Sequence, residues 1–255
     1  MIKVGMAQML VEGGALEANL ERACAMIREA GQAGCDVVVL PECLDVGWTH
    51  PSARTIAEPI PGKTTDCLCA AAREHAIFVV AGVTERAGDC IYNTAILVAA
   101  DGEILLKHRK INILDIARDL YTAGECLRVA ETPWGRVGLL ICADNFPETR
   151  ALGESLALMG AKTIFSPCAW AVPADHDNLT EPYGALWRDA YESLSRAHGL
   201  SIVGVSNVGP VTAGPWEGRR CIGCSLAMGP EGTVLESAPY GVDAACLRIV
   251  SCPVG

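Results

Sequence analysis

The chain of 255 residues has no apolar run approaching the ~18 residues of a membrane-spanning helix. Its start, Met1-Ile2-Lys3-Val4-Gly5, lacks the basic-then-apolar pattern of a secretory leader, so a soluble, cytoplasmic protein is expected. Positive charge is scarce. Lys and Arg number 20 against 30 Asp and Glu, and the formal net charge of −10 argues against nucleic acid or an anionic membrane surface as partner. The basic cluster Lys107-His108-Arg109-Lys110 is too short to change that. No GxGxxG or GxxxxGK[ST] phosphate loop occurs, and no GxSxG elbow, because Gly223-Cys224-Ser225-Leu226-Ala227 lacks the closing glycine.

Cysteine, by contrast, is plentiful. Thirteen thiols, an odd number, without a leader do not form the framework of a disulfide-stapled secreted domain. Cys67 and Cys69 have the wrong spacing for a zinc pair. Cys221 and Cys224 have CxxC spacing but no second pair nearby, so no metal site is expected and the thiols read as small, reduced core residues. Hydrophobic residues at 51% and charged residues at 20% supply a large core, enough for a single α/β domain over residues 1–255.

Hydrophobic periodicity orders the elements. A strand over 2–8 precedes an amphipathic helix over 15–30, with Leu16, Leu20, Ala23, Cys24, Ile27 and Ala30 on one face and Gly31 and Gly34 ending it. The apolar strand Val37-Val38-Val39-Leu40 closes on Pro41-Glu42, and a loop over 45–62 leads to a helix at about 64–75. Strands at 77–83, 91–98 and 103–110 complete the first half. The second half repeats the order: strand 136–141, helix 148–159, strand 162–166, helix 183–198, then strands at 201–206, 224–228, 233–237 and 244–249. In the last helix Leu186, Trp187, Ala190, Tyr191 and Leu194 form the apolar stripe, and Arg188, Glu192 and Arg196 make successive i,i+4 ion pairs outside. Two βαβα units, each trailing into antiparallel strands, predict two sheets stacked face to face with helices outside, a four-layer α-β-β-α sandwich.

Three side chains at or past strand ends are candidates for chemistry. Cys142 follows the apolar run Val137 to Ile141 and precedes a turn in which Asp144 or Asn145 caps a helix and Pro147 suits its first turn. Ligands gather at such strand ends, and oriented N–H groups there favour a thiolate; a small buried residue finishing a strand is the competing reading. Glu42, behind Pro41, suits a general base or is a solvated loop glutamate. Lys110 closes a strand as an oxyanion-binding cation or as a wet strand end. Together they make a nucleophile, a base and a cation.

Pro41-Glu42, Arg109-Lys110-Ile111 and Gly138 through Cys142-Ala143-Asp144-Asn145-Phe146-Pro147-Glu148 resemble the signature segments of the nitrilase, or carbon–nitrogen hydrolase, superfamily. Pro61-Gly62-Lys63-Thr64-Thr65, Tyr92-Asn93-Thr94-Ala95, Trp187, Arg196-Ala197, Asn207, Gly223-Cys224-Ser225 and Pro230-Glu231-Gly232 extend the resemblance over nearly the whole chain. It implies the α-β-β-α sandwich and a Glu42, Lys110, Cys142 triad. Cys142 attacks a carbonyl, Glu42 relays its proton to the departing nitrogen, Lys110 and the Ala143 N–H hold the oxyanion, and water cleaves the thioester. It implies no cofactor, and a homodimer or higher homo-oligomer is expected.

Many members carry a second active-site glutamate between the lysine and the cysteine. The corresponding segment here, Asp115 to Tyr121 ahead of Ala123-Gly124-Glu125, has no glutamate, and Asp119 is the candidate substitute with Asp115 in reserve. Substrate contacts are expected from Trp48, Asn145, Phe146, Trp170 and Tyr183, the last two walling an apolar pocket or capping the core. Arg150 is a weaker candidate as a clamp for a substrate carboxylate. The substrate expected is a small aliphatic amide or N-carbamoyl compound, with acyl transfer or a catalytically impaired ligand-binding module as alternatives.

Overall fold

The computed structural model describes residues 1–254. In chain order the elements are β1 (Ile2–Gln8), α1 (Leu16–Gln32), β2 (Val37–Val39), α2 (Ala53–Ile56), α3 (Lys63–His75), β3 (Phe78–Ala87), β4 (Cys90–Val98), β5 (Ile104–Arg109), β6 (Val129–Thr132) and β7 (Gly135–Leu139). They continue with α4 (Arg150–Leu158), β8 (Thr163–Cys168), β9 (Ala171–Val172), α5 (Ala185–His198), β10 (Ser201–Ser206), β11 (Val208–Pro210), β12 (Arg220–Ile222), β13 (Leu226–Met228), β14 (Val234–Ser237) and β15 (Cys246–Cys252).

Two six-stranded sheets run in the orders β15-β1-β2-β3-β4-β5 and β14-β13-β10-β8-β7-β6. In each, three central strands are parallel and the outer ones antiparallel, as crossover helices followed by hairpins dictate. The period-2 alternation sorts side chains between layers. Val37, Val39, Val80, Leu97, Val137, Leu139, Phe165 and Val203 fill the space between the sheets. Val38, Val79, Ala81, Ile96 and Val98 point the other way, against Ala23, Ile27, Leu68 and Ala72 of α1 and α3. Leu140, Ile164 and Ile202 meet Leu156, Trp187, Tyr191 and Leu194 of α4 and α5. The four expected layers are present.

Several details depart from the sequence reading. Gly31 does not stop α1; it marks the crossing with α3, where a Cβ would lie 3.1 Å from His75 Cβ. The buried face of α1 is Asn19, Ala23, Ile27 and Ala30, with Leu16, Leu20 and Cys24 only half-buried. Asn19 is accommodated because its amide donates to the Glu12 and Asp45 carbonyls at 2.8 and 3.0 Å. The 45–62 loop contains the short α2, and β6, too polar in pattern to be predicted, pairs with β7. In α5, Leu186 is exposed, and Glu192 pairs with Arg196 at 3.0 Å and not with Arg188. The last strand leaves the second half and pairs antiparallel with β1, from Ile2 opposite Cys252 to Gln8 opposite Cys246. Three short strands, β11-β12-β9, form a further small sheet.

Candidate active site

Glu42 lies three residues past β2. Its N–H donates to the Cys168 carbonyl at 3.2 Å, tying the first sheet to the end of β8 in the second. The approach is close: a Cβ on Gly82 of β3 would fall 2.6 Å from Glu42 Cα, so glycine is required there for space. Lys110 is the first residue beyond β5. Its N–H donates to the Asn93 carbonyl and its own carbonyl accepts from the Gly124 N–H, both at 2.8 Å. The two side chains are 1% and 2% exposed, and Lys110 Nζ donates to Glu42 Oε1 at 2.6 Å. Asn93 Nδ2 donates to the same oxygen at 2.6 Å.

Cys142 follows β7 with φ 44, a left-handed conformation uncommon outside glycine. Such geometry persists only where surrounding bonds enforce it. The Cys142 N–H donates to Ser166 Oγ at 3.2 Å, and Asn145 Nδ2 donates to Ser166 Oγ and to the Cys142 carbonyl at 2.9 and 3.1 Å. The expected helix does not begin here. Cys142–Asn145 and Pro147–Thr149 are two 3-10 turns ahead of α4. Asp144 caps no α-helix. It is fully buried and accepts from the Ile141, Ile111 and Asn112 N–H groups at 3.0, 3.1 and 2.7 Å, while pairing with His108 Nε2 at 2.9 Å. One carboxylate thus fastens the cysteine turn to the segment leaving Lys110.

Burial opposes the Lys110 charge, but the Glu42 carboxylate, and after it Cys142, outweigh burial and hold the ammonium above the usual lysine range. Burial likewise opposes the Asp144 charge, and its contact with His108 more than compensates, so its carboxyl sits below the usual range. Cys142 behaves differently from the thiolate expected. Its contact with the Cys168 thiol, its burial and the Glu42 charge push its pKa well up, and Lys110 only partly offsets them. These neighbours therefore favour the neutral thiol over the thiolate.

Of the other residues expected at the site, Ala143 is buried beside the sulfur and its N–H donates to no protein acceptor among the described residues. Trp48 stands with its ring centroid 5.9 Å from Lys110 Nζ and packs on Trp216 at 4.6 Å. Trp170 and Tyr183 line one cavity of about 210 Å³ together with Trp187 and Cys224. Trp170 is stacked on Trp187 at 4.8 Å, and both belong to the core against which Cys142 packs. Asn145 spends its amide nitrogen on the turn, while Phe146 lies 5.3 Å from the Trp187 ring and lines a different cavity with Arg150. Arg150 pairs with Glu154 and Ser193.

Asp119 and Asp115 do not reach the site. Residues Asp115–Ala117 form a 3-10 turn that directs Ala117 and Tyr121 inward, and both aspartates face solvent, Asp115 pairing with Arg118. The inward positions of this segment therefore carry a methyl group and a phenol, and neither aspartate. Sequence reasoning passed over Asn93, His108, Asp144 as a fastener, and Ser166. For Asn93 and Ser166 the signal was a polar residue inside a largely apolar strand; His108 and Asp144 carried no such signal. Among the described residues no group of three or more His, Cys, Asp or Glu side chains is placed to hold a metal ion, and no helix is long and apolar enough to cross a membrane.

Comparison with known proteins identifies the family. The carbon-nitrogen hydrolase family matches residues 3–246. A nitrilase of Pyrococcus abyssi is 33% identical over 248 residues, covering 93% of this chain and 85% of its own. The omega-amidase of Xenopus tropicalis is 36% identical over 235 residues, covering 86% and 78%. A mutant of the amidase from Nesterenkonia sp. AN1, showing the result of Michael addition of acrylamide at the active-site cysteine, superposes with a TM-score of 0.83 at 19% identity, covering 99% and 94%. The chain belongs to the carbon-nitrogen hydrolase family of the nitrilase superfamily.

Proposed function

We propose that the protein hydrolyses the C–N bond of a small amide through a thioester on Cys142. Glu42 accepts the thiol proton as sulfur attacks the carbonyl carbon. Lys110 and the Ala143 N–H receive the negative charge that develops on oxygen, where fixed donors contribute most. On collapse, Glu42 returns the proton to the nitrogen and ammonia departs. Glu42 then deprotonates water, which attacks the thioester, releases the acid and restores the thiol.

The observation that carries this reading is the buried Glu42–Lys110 pair, 2.6 Å between charges, at the strand ends where Cys142 is held at positive φ. The raised thiol fits it, because a neutral sulfur needs a base in the attacking step. The amide class is favoured by the omega-amidase and amidase relatives. The test is a panel of short amides followed by ammonia release and intact mass. An acyl adduct and turnover, both absent in Cys142→Ala, support the hydrolase. An adduct discharged only by an added amine would move the reading to acyl transfer.

One observation favours a second reading, a ligand-binding member with impaired chemistry: Asp119 and Asp115, from which a second carboxylate was expected, both face solvent. Thermal stabilisation by amides without adduct or ammonia would establish it.

A further inference from the structure

Two half-buried thiols meet where the long helices of the first half pack together. Cys24 of α1 and Cys67 of α3 stand with their sulfurs 3.5 Å apart, although 43 residues separate them in the chain. Each follows or precedes a fully buried core residue, Ala23 on α1 and Leu68 on α3, and so lies at the rim of the seam between the helices. The two helices run in the same direction. About two turns beyond the thiols, Gly31 of α1 packs on His75 of α3 so closely that a Cβ would lie 3.1 Å from His75 Cβ. That approach fixes the helix spacing, and with it the reach between the sulfurs. A disulfide needs about 2.05 Å between sulfurs, so the gap to be closed, about 1.5 Å, is on the scale of side-chain rotation.

The contact also divides the pair into two chemical roles. Donation from the Cys24 thiol draws Cys67 well below the usual thiol range, against the burial that raises it. The same contact, and then burial, raise Cys24 and keep its proton in place. Cys67 therefore carries the negative charge, and a thiolate is the form that attacks a disulfide sulfur. Cys142 is the opposite case, its thiol pushed up by its neighbours.

We propose that Cys24 and Cys67 are a reversible modification site, at which exchange with a small disulfide such as oxidised glutathione closes a bond between α1 and α3. The Cys67 thiolate attacks one sulfur of the small disulfide, whose S–S bond breaks as its other half leaves as a thiolate. That thiolate takes the Cys24 proton. Cys24 then attacks the Cys67 sulfur of the mixed disulfide and expels the second half, which takes up the proton that Cys67 had released to water. The protein loses two electrons and two protons, and the small disulfide becomes two thiols.

The test incubates the fully reduced protein with oxidised glutathione at neutral pH, followed by intact mass and by peptide mapping without reduction. The wild type is expected to lose two hydrogens and to yield the Cys24 and Cys67 peptides joined, both changes being reversed by dithiothreitol. Cys24→Ser should instead keep one glutathione on Cys67, because the thiol that would expel it is gone. Cys67→Ser should leave Cys24 unmodified, because the attacking sulfur is gone. Glutathione on exposed thiols such as Cys126, with the Cys24 and Cys67 peptides recovered unjoined, overturns the proposal. So does a wild type in which Cys67 holds glutathione as stably as it does in Cys24→Ser. The wild-type map decides the outcome alone if either variant fails to fold.

Discussion

Lys110 Nζ lies 2.6 Å from Glu42 Oε1 with both side chains removed from solvent. Deleting one member of a buried pair strands the other charge, at about 3–5 kcal/mol. Glu42→Gln and Lys110→Met are each expected to lower stability by that order in urea titrations. Glu42→Gln should also reduce ammonia release by about 10²–10⁴, the contribution of a positioned proton-transfer group, and Lys110→Met by about 10²–10³, that of an oxyanion donor. The double variant should be less destabilised than the sum of the singles, because neither charge is then left alone. Additive losses would show the two groups to be independent.

The raised Cys142 thiol fixes the pH dependence of its alkylation. A thiol held above its ordinary pKa is mostly protonated at neutral pH, so reaction with iodoacetamide should be slow at pH 7 and keep rising beyond pH 9. A rate already at its plateau at pH 7, followed by peptide mapping of Cys142, would mean a preformed thiolate. Cys168→Ala removes the first of the causes that raise the thiol and should shift the profile toward lower pH.

Gly82→Ala should slow turnover without touching a reacting group. Its new Cβ would lie 2.6 Å from Glu42 Cα and 2.8 Å from the Pro41 carbonyl, both backbone atoms. The strand end must shift, and overpacking of this kind costs about 1–3 kcal/mol. Wild-type kcat in Gly82→Ala would show that the Glu42 backbone tolerates displacement.

How much of this was legible in the sequence differs by layer. The apolar runs Val37 to Val39 and Val137 to Leu139 each have strand length and flanking helices, so the sandwich followed from period and order. Glu42, Lys110 and Cys142 each end such a run, but position alone leaves a solvated or buried reading open for each, and the family resemblance singles them out. The route of β15 was not legible, since pairing with β1 links residues 2 and 252 and leaves no local trace. Asp119 misled for a similar reason: its chemistry suited the site, but which face of a short 3-10 turn points inward is set by Ala117 and Tyr121 packing beside Trp48. Arg188 sat at ideal i,i+4 spacing from Glu192, and the competing partner Arg196 decided the outcome.

Asp144 gives an acid limb to stability. Its folded carboxyl sits below the usual value, so it stabilises the fold above the unfolded pKa of about 3.9 and loses that contribution as pH falls through the folded value. Wild-type unfolding free energy should therefore be level between pH 5 and 7 with respect to this group and decline below about pH 4. Asp144→Asn, which cannot satisfy its N–H donors as a charged acceptor, should be less stable at pH 7 and show a shallower acid decline. Parallel acid profiles for the two proteins would remove Asp144 from this role.

Because Cys246–Cys252 hydrogen-bonds along Ile2–Gln8, the polypeptide's first strand waits for its last. During synthesis β1 keeps one bare rim until residue 252 has been made, and long-range pairing of that kind is slow to form. A nascent or C-terminally clipped chain would present that rim to any neighbouring strand.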